Sequence, residues 1–582
     1  MATALDVFAE RVAASADRVA MRRKAEGTWR ASTWRELDER ARAIAGGLID
    51  LGVRPGDRVV ILATTRPEWV ECDLGILMAG AVVVPIYPSS TPEQCRYIID
   101  DCGATAVIVE NQGQLDKVGT SPEPGRRVIH WDPVAAGGGV RSLAELITAG
   151  QAWIDRNPGE LARLAAAVKP EDSCTFIYTS GTTGPPKGVV LTHANLGFEC
   201  NAVKELLGLT PDDEQMLFLP LAHVFAKVLM WASIAIGCST AFAESTEKLV
   251  ANMQEVKPTF MGAVPRVYEK AYARIQSNLE DKRKKWLGRK LIDWALRKGR
   301  ARARGGLGLR LADRLVFSKV RATFGGRIRF FISGGAPLAR DIAEFFHATG
   351  LLVLEGYGLS ETTAATHVNR PDSYRFGTVG PAVPGVDVRI ADDGEILVRG
   401  GNVMKEYHGK PEATAEALEP DGWFHTGDIG VVDDDGKLRI TDRKKDIIVN
   451  AGGKKVAPQN LENDLKARCP YVSQVMVHGD KRKYLSALIT LAEDNLRPWA
   501  AEHGLDGKPL AELSATPEVV ALVQKAVDAL NADLPSYEQI RKFTLLPRDF
   551  EQESGELTPT LKVKRKFVTE KYQQLLDGMY DA

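Results

Sequence analysis

The chain is short of the features that would place it in several large classes. Its seven cysteines, Cys72, Cys95, Cys102, Cys174, Cys200, Cys238 and Cys469, form no C-x-x-C pair and stand at no zinc-binding spacing from histidine. An odd, scattered set argues against a disulfide framework and a structural zinc site, and reads as reduced thiols filling cores. No apolar run reaches the roughly 18 residues needed to cross a bilayer. The start, Met1 to Phe8, shows no basic stretch ahead of a long apolar one, so no leader is expected and the expected location is cytoplasmic. Charge of one sign is lacking too. With 75 basic and 76 acidic side chains the net charge is −1, which gives no electrostatic argument for a nucleic-acid partner.

What is present is an ordinary globular balance, 44% hydrophobic and 26% charged, spread over 582 residues, more than one core can organise. From Trp34 to Val109, amphipathic helical stretches alternate with short apolar runs at Arg58 to Ala63, Ala81 to Ile86 and Thr105 to Val109. That alternation predicts an α/β sheet covered by helices. Gly119 to Lys169, with its Gly137-Gly138-Gly139 run, reads as surface connection. Apolar strands return from Cys174 to Gly356 and predict a second α/β sheet. After Val379, the turns Asp393-Gly394, Asp421-Gly422 and Asp435-Gly436 predict antiparallel hairpins.

The expected fold is therefore α/β and multi-lobed, with two doubly wound sheets plus a small β subdomain, followed by a smaller mobile α+β C-terminal domain. The boundaries expected are 1–442 for the large domain, 378–441 for the β subdomain within it, 443–446 for a hinge and 447–582 for the C-terminal domain.

The most informative words follow predicted strands. Thr179-Ser180-Gly181-Thr182-Thr183-Gly184-Pro185-Pro186-Lys187-Gly188 comes directly after the apolar run ending at Tyr178. Its glycines let backbone N–H groups turn toward a phosphate, its hydroxyls add donors, and Lys187 adds a point charge. It departs from the Walker pattern because Lys187 is followed by glycine, which disfavours a P-loop ATPase. On composition alone such a loop is as readily a plain turn.

The loop resembles the signature of the adenylate-forming superfamily, which holds acyl-CoA synthetases, peptide-synthetase adenylation domains and luciferases. Further segments match in family order from about Trp34 to Lys566. Gly356-Tyr357-Gly358-Leu359-Ser360-Glu361-Thr362 resembles the segment that holds adenine, the α-phosphate and magnesium. The resemblance puts Tyr357 against adenine, Glu361 on Mg2+ and Thr362 on phosphate. Gly334, Gly335 and Ala336 would complete the floor of the nucleotide and acyl pocket.

Asp428, in Thr426-Gly427-Asp428, would take the ribose hydroxyls. In the hinge-like Asp442-Arg443-Lys444-Lys445-Asp446, Arg443 would touch ribose or phosphate and Lys445 would absorb a domain rotation. Standing alone, such a charged run would be read as a solvated strand end. Lys562 matches the lysine that reaches the carboxylate and α-phosphate during adenylation, while Lys564, Arg565 and Lys566 read as a basic terminal helix. His223 would help shape the acyl and CoA channels, and Gly452 and Gly453 would leave room for pantetheine in the second step.

A narrower resemblance, in Gly262-Ala263-Val264-Pro265-Arg266-Val267-Tyr268-Glu269-Lys270, points to the long-chain fatty acyl-CoA synthetase branch. It implies ATP, Mg2+ and CoA as cofactor and co-substrates and a fatty acid as the acid. The alternatives are a fatty acyl-AMP ligase loading a carrier protein, or a CoA ligase for a shorter or aryl acid. Related enzymes carry a gating tryptophan four residues after the equivalent histidine, where this chain has Lys227, so no gate is assigned. Between Lys282 and Arg329 there are seventeen Lys or Arg against two Asp. With Trp286, Leu287, Leu291, Ile292, Trp294 and Leu296 among them, the segment fits either a helix resting on the inner face of an anionic membrane or one packed on the protein body. A homodimer is compatible with the sequence, which does not decide the oligomeric state.

Overall fold

The structure is a computed structural model and describes residues 2–119, 126–135, 140–179, 185–283, 286–300, 306–558 and 561–581. Two eight-stranded sheets form its larger part. In the first, strands Arg58–Leu62, Val82–Ile86 and Ala104–Val109 are the parallel centre, bordered by Ser173–Thr179 and Arg127–His130. In the second, Glu214–Leu217, Phe260–Ala263, Phe330–Ser333 and Leu352–Tyr357 run parallel, with short antiparallel strands at both edges. Near-continuous Val and Ile runs form the central strands of the first sheet, because both faces of a parallel sheet are covered by helices. Val59, Ile61, Val83 and Ile108 are buried accordingly.

A four-stranded antiparallel sheet follows, from Val386–Ile390 to Leu438–Arg443. The glycines of all three Asp-Gly turns, Gly394, Gly422 and Gly436, have the positive φ such turns require. Beyond it a three-stranded sheet, Val472–His478, Leu485–Leu491 and Ile540–Leu545, packs with helices including Pro458–Arg468 and Pro517–Asn531. The expected multi-lobed α/β fold, with a small β unit and an α+β C-terminal part, is the observed one. All seven cysteines are free and buried.

One expectation fails. The stretch read as surface connection holds two short strands and the helices Leu143–Arg156 and Glu160–Ala166. The first of these packs on Trp34–Asp50 through glycine. A Cβ on Gly150 would lie 1.7 Å from the Ala43 carbonyl oxygen, and one on Gly47 2.3 Å from that of Leu146. The helix has an apolar face at helical spacing, Leu143, Leu146, Ile147, Trp153 and Ile154, which the Gly137-Gly138-Gly139 run just before it masks in the sequence.

The basic segment also sorts itself out. Helix Trp286–Arg300 turns Ile292 and Ala295 into the protein body, with Trp294 and Leu296 packed beside them. The side chains of Trp286, Leu287 and Leu291 lie outside the described residues. Its successor, Leu307–Thr323, is continuous through a π-helical turn and leaves Leu307 82% exposed, with Leu311 and Leu315 also outward. Among the described residues no helix is long and apolar enough to cross a membrane.

Candidate active site

The candidate residues collect where strands of both sheets end. Strand Leu352–Tyr357 delivers Gly356, Tyr357 and Gly358 into a tight loop, closed by the Thr366 amide donating to the Tyr357 carbonyl at 2.8 Å. Gly358 is required there, because a Cβ would sit 1.9 Å from the Ala364 oxygen. Thr363 and Ala364 follow with φ of 50° and 82°, a left-handed pair of non-glycine residues at a cost of about 1–3 kcal/mol each. The turn is held by Thr363 Oγ1 donating to the Asn402 carbonyl at 2.7 Å and by the Met404 amide donating to the Glu361 carbonyl at 2.7 Å. Thr362 is fully buried, and its hydroxyl accepts from the Leu359 amide at 2.9 Å.

Asp428 is cross-braced. The Tyr357 hydroxyl donates to its Oδ2 at 2.7 Å and Arg443 Nε donates to its Oδ1 at 3.1 Å. Burial and the Asp428 charge push the Tyr357 phenol far above its usual range, so it stays a donor. Enclosure works against the Arg443 charge, but Asp428, Tyr357 and Glu361 outweigh it and its pKa rises. The buried Asp428 carboxylate is thereby fixed in orientation, and its remaining lone pairs are of the kind that can accept vicinal hydroxyls.

Strand Ser173–Thr179 pairs antiparallel with Lys187–Thr192, so Thr179 and Lys187 stand at the two ends of the glycine-rich loop. Ser180, Gly181, Thr182, Thr183 and Gly184 lie outside the described residues. Lys187 Nζ is 4.6 Å from the centre of the Tyr407 ring, whose hydroxyl donates to Glu361 Oε1 at 2.8 Å. Tyr407 thus joins the lysine of the loop to the carboxylate of the second motif. Sequence reading missed it, because its two-residue strand Glu406–Tyr407 is too short for any period to register.

Strand Phe330–Ser333 ends beneath Gly334, Gly335 and Ala336, with Gly335 at φ 82°. The Ser333 hydroxyl is buried without a hydrogen-bond partner among the described residues, a group that water or a ligand can satisfy. A Cβ on Gly334 would meet the Phe225 ring at 3.3 Å, so this floor is shaped by its lack of side chain.

His223 caps helix Val224–Ile236, its Nδ1 accepting from the Phe225 amide at 3.1 Å. Enclosure first and Lys562 second lower its pKa to about 4, leaving it neutral near pH 7. One turn on, Lys227 is fully buried and ion-paired to Asp73, which also accepts from Trp231 Nε1 at 3.0 Å. The position that carries a tryptophan gate in related enzymes is here part of the packing between two helices.

The C-terminal part supplies Lys562. A turn, closed by the Thr558 amide donating to the Lys562 carbonyl at 2.8 Å, carries it. Glu556 anchors that turn, accepting from both terminal nitrogens of Arg548 at 2.8 Å. Burial alone would raise the Glu556 carboxyl, but Arg548, Tyr572, Ser554 and Lys571 outweigh it and hold it at about 2. Arg565, expected to be a bystander, is paired with Glu462 and also donates to the Val477 carbonyl at 3.2 Å. It ties the segment after Lys562 to its own domain.

Lys562 keeps much of its surface open to the cleft, yet the surrounding walls and Arg443 lower its pKa to about 8, with Asp428 and Asp446 opposing. His223, Asp428, Arg443 and Lys562 therefore share one cleft. Lys445 is exposed in the turn where the Asp446 and Ile447 amides donate to the Arg443 carbonyl. Gly452 and Gly453 stand in a solvent-exposed hairpin turn, with the Gly452 amide donating to Asn450 Oδ1 at 3.0 Å.

Magnesium takes few protein ligands when phosphates supply the rest. Glu361, a half-buried carboxylate near Lys187, fits that role. Among the described residues no cluster of three His, Cys, Asp or Glu could hold a metal.

Comparison with known proteins gives the family. The family model described as AMP-binding enzyme matches residues 8–408, and that of the AMP-binding enzyme C-terminal domain matches 445–582. Long-chain-fatty-acid–CoA ligase FadD15 of Mycobacterium bovis is 41% identical over 97% of this chain and 95% of its own length. Long-chain-fatty-acid–CoA ligase ACSBG2 of Gallus gallus is 33% identical over 99% of this chain and 81% of its own. The adenylation domain of a carboxylate reductase from Mycobacterium chelonae shares the fold, with a TM-score of 0.77 at 23% identity over 100% of this chain and 91% of that one. The chain belongs to the adenylate-forming family of AMP-binding enzymes, on the branch that holds the relatives named long-chain-fatty-acid–CoA ligases.

Proposed function

We propose that the protein is an ATP-dependent long-chain fatty acid:CoA ligase. What supports this reading is Lys562, a lysine of the C-terminal part near enough to Arg443 and to the Tyr357-braced Asp428 for their charges to act on it. In the first half-reaction a carboxylate oxygen of the acid attacks the α-phosphorus of ATP, and pyrophosphate leaves. The two reactants repel, so a cation placed between them lowers the barrier. Lys562 is that cation, and Asp428 braced by Tyr357 and Arg443 would orient the ribose. Thr179, Lys187 and the loop between them would hold the phosphates, with Thr362 beside the α-phosphate. Magnesium bound at Glu361 would neutralise phosphate charge.

In the second half-reaction the thiolate of CoA attacks the acyl carbonyl of the mixed anhydride, and AMP leaves. Residues 447–582 would turn about 443–446, with Lys445 absorbing the change. That motion would withdraw Lys562 and bring Gly452 and Gly453 beside the pantetheine.

The test is product analysis by mass spectrometry with acids from acetate to oleate, ATP and magnesium, with and without CoA. Long acids should give the CoA thioester and AMP. Accumulation of acyl-AMP despite CoA would move the acceptor to a carrier protein.

A lipid-borne acid would favour a docking face, and Leu307–Thr323 offers one. Leu307, Leu311 and Leu315 point outward beside exposed Arg310 and Arg314, a pattern suited to an anionic bilayer. Flotation with vesicles containing phosphatidylglycerol should carry the wild type upward and leave a Leu307→Ser, Leu311→Ser, Leu315→Ser variant at the bottom. Equal flotation of both would remove this face from the reading.

A further inference from the structure

The motif Pro265-Arg266-Val267-Tyr268-Glu269 lies outside the cleft chemistry, yet two of its side chains cross to the C-terminal part. Arg266 opens the helix that follows strand Phe260–Ala263. Its guanidinium donates to the Ser473 carbonyl at 2.9 Å and to Ser473 Oγ at 2.6 Å. Ser473 Oγ in turn donates to Asp549, which also accepts from Thr490 Oγ1 at 2.5 Å. One turn along, Glu269 accepts from Lys466 Nζ at 3.3 Å. The side chains of Arg266, Glu269 and Lys466 are only 18%, 10% and 15% exposed, so these are enclosed contacts rather than surface ion pairs. Ala467, beside Lys466, packs against the core that includes Phe331, Phe346 and Tyr268.

We infer that Arg266 and the Glu269–Lys466 pair are a latch that holds the C-terminal part in the arrangement placing Lys562 in the cleft. The inference rests on the two-step ligase reading above. Every contact in the latch joins the same two bodies as Lys562 and Asp428 do, so it must open whenever Lys562 withdraws. Arg266 is a positioning residue: it stands in the interface, apart from the nucleotide-binding groups. Its fork reads a backbone carbonyl and a hydroxyl together, a geometry lysine does not reproduce.

The consequence is an asymmetric effect on the two half-reactions. Arg266→Ala should slow acyl-adenylate formation by about 10–100-fold, the range of one or two charge-assisted hydrogen bonds. It should leave the conversion of supplied acyl-AMP and CoA to thioester unchanged or faster. Glu269→Lys and Lys466→Glu should each slow adenylation, and the two together should recover much of the loss.

The experiment measures both half-reactions in single turnover on the full chain, with thermal melting to establish that each variant is folded. Selective loss of adenylation in Arg266→Ala, with recovery in the charge-swapped double variant, supports the latch. Equal slowing of both steps, no slowing of either, or no recovery in the swap overturns it. A wild type that forms no acyl-AMP at all would instead overturn the ligase reading on which the latch depends.

Discussion

Two lysines approach the start of helix Val224–Ile236 and have opposite fates. Lys227, one turn in, is buried against Asp73 with the Trp69 ring 5.1 Å from its nitrogen. Lys562, arriving from the far end of the chain, lowers the pKa of His223 at the helix cap and keeps its own surface open to the cleft. The first has its counter-ion built in and serves the packing of the large domain. On the proposed reading, the second would gain its counter-charges only when the carboxylate and phosphates of substrates enter. A fixed partner makes a charge structural, and a missing one makes it available for chemistry.

That contrast can be broken most forcefully at Lys227. Lys227→Ala leaves the Asp73 carboxylate buried with, among the described residues, only Trp231 as donor, and should cost about 3–5 kcal/mol of stability, read by denaturant unfolding. The acyl chain-length preference of the folded fraction should not change. A stable variant with altered chain-length preference would return position 227 to the acyl channel.

Tyr357→Phe sharpens the other side of the comparison. It removes one brace from Asp428 and leaves Arg443, so kcat/KM for ATP should fall about tenfold or somewhat more, with stability little affected. An unchanged value would remove Asp428 from the ribose.

The pH dependence gives the smallest effect and the clearest sign. Lys562 has its pKa depressed from the ordinary lysine value to about 8, and on the proposed reading adenylation needs its protonated form. The kcat/KM for acyl-AMP formation should therefore fall as pH rises through about 8, by roughly tenfold per unit beyond it. The corresponding limb of kcat should lie higher, because bound triphosphate stabilises the ammonium. Lys562→Arg should abolish the limb in this range. A flat profile in the wild type would contradict the placement of Lys562.

Much of this was legible in the chain itself. The strands ending at Leu62 and Ile86 announce themselves as β-branched runs and those ending at Ser333 and Tyr357 as short apolar runs, and the motifs that follow the last two sit at strand ends where a cleft forms. The Asp-Gly turns gave the β unit for the same reason: their backbone conformation is written in single residues. What was illegible depends on pairing at a distance. Asp73 and Lys227 lie 154 residues apart, and nothing local to either marks the other. Tyr407 joins Lys187 and Glu361 across a gap no periodicity spans. Helix Leu143–Arg156 carries a regular apolar face, Leu143, Leu146, Ile147, Trp153 and Ile154, but the glycine run just before it breaks the pattern. The lipid-facing candidate also moved, because the apolar side of Trp286–Arg300 that the structure describes is spent on the protein body, leaving the outward leucines to the next helix.

The account turns on Lys562 acting in the first step alone, and one measurement addresses it. With long-chain acid, ATP and magnesium in single turnover, Lys562→Ala should lose acyl-AMP formation by about 10²–10³-fold, the usual loss when one preorganised charge-stabilising donor is removed. Given synthetic acyl-AMP and CoA, the same variant should make thioester at the wild-type rate. If it fails equally in both, or adenylates normally, Lys562 does not play the part assigned to it.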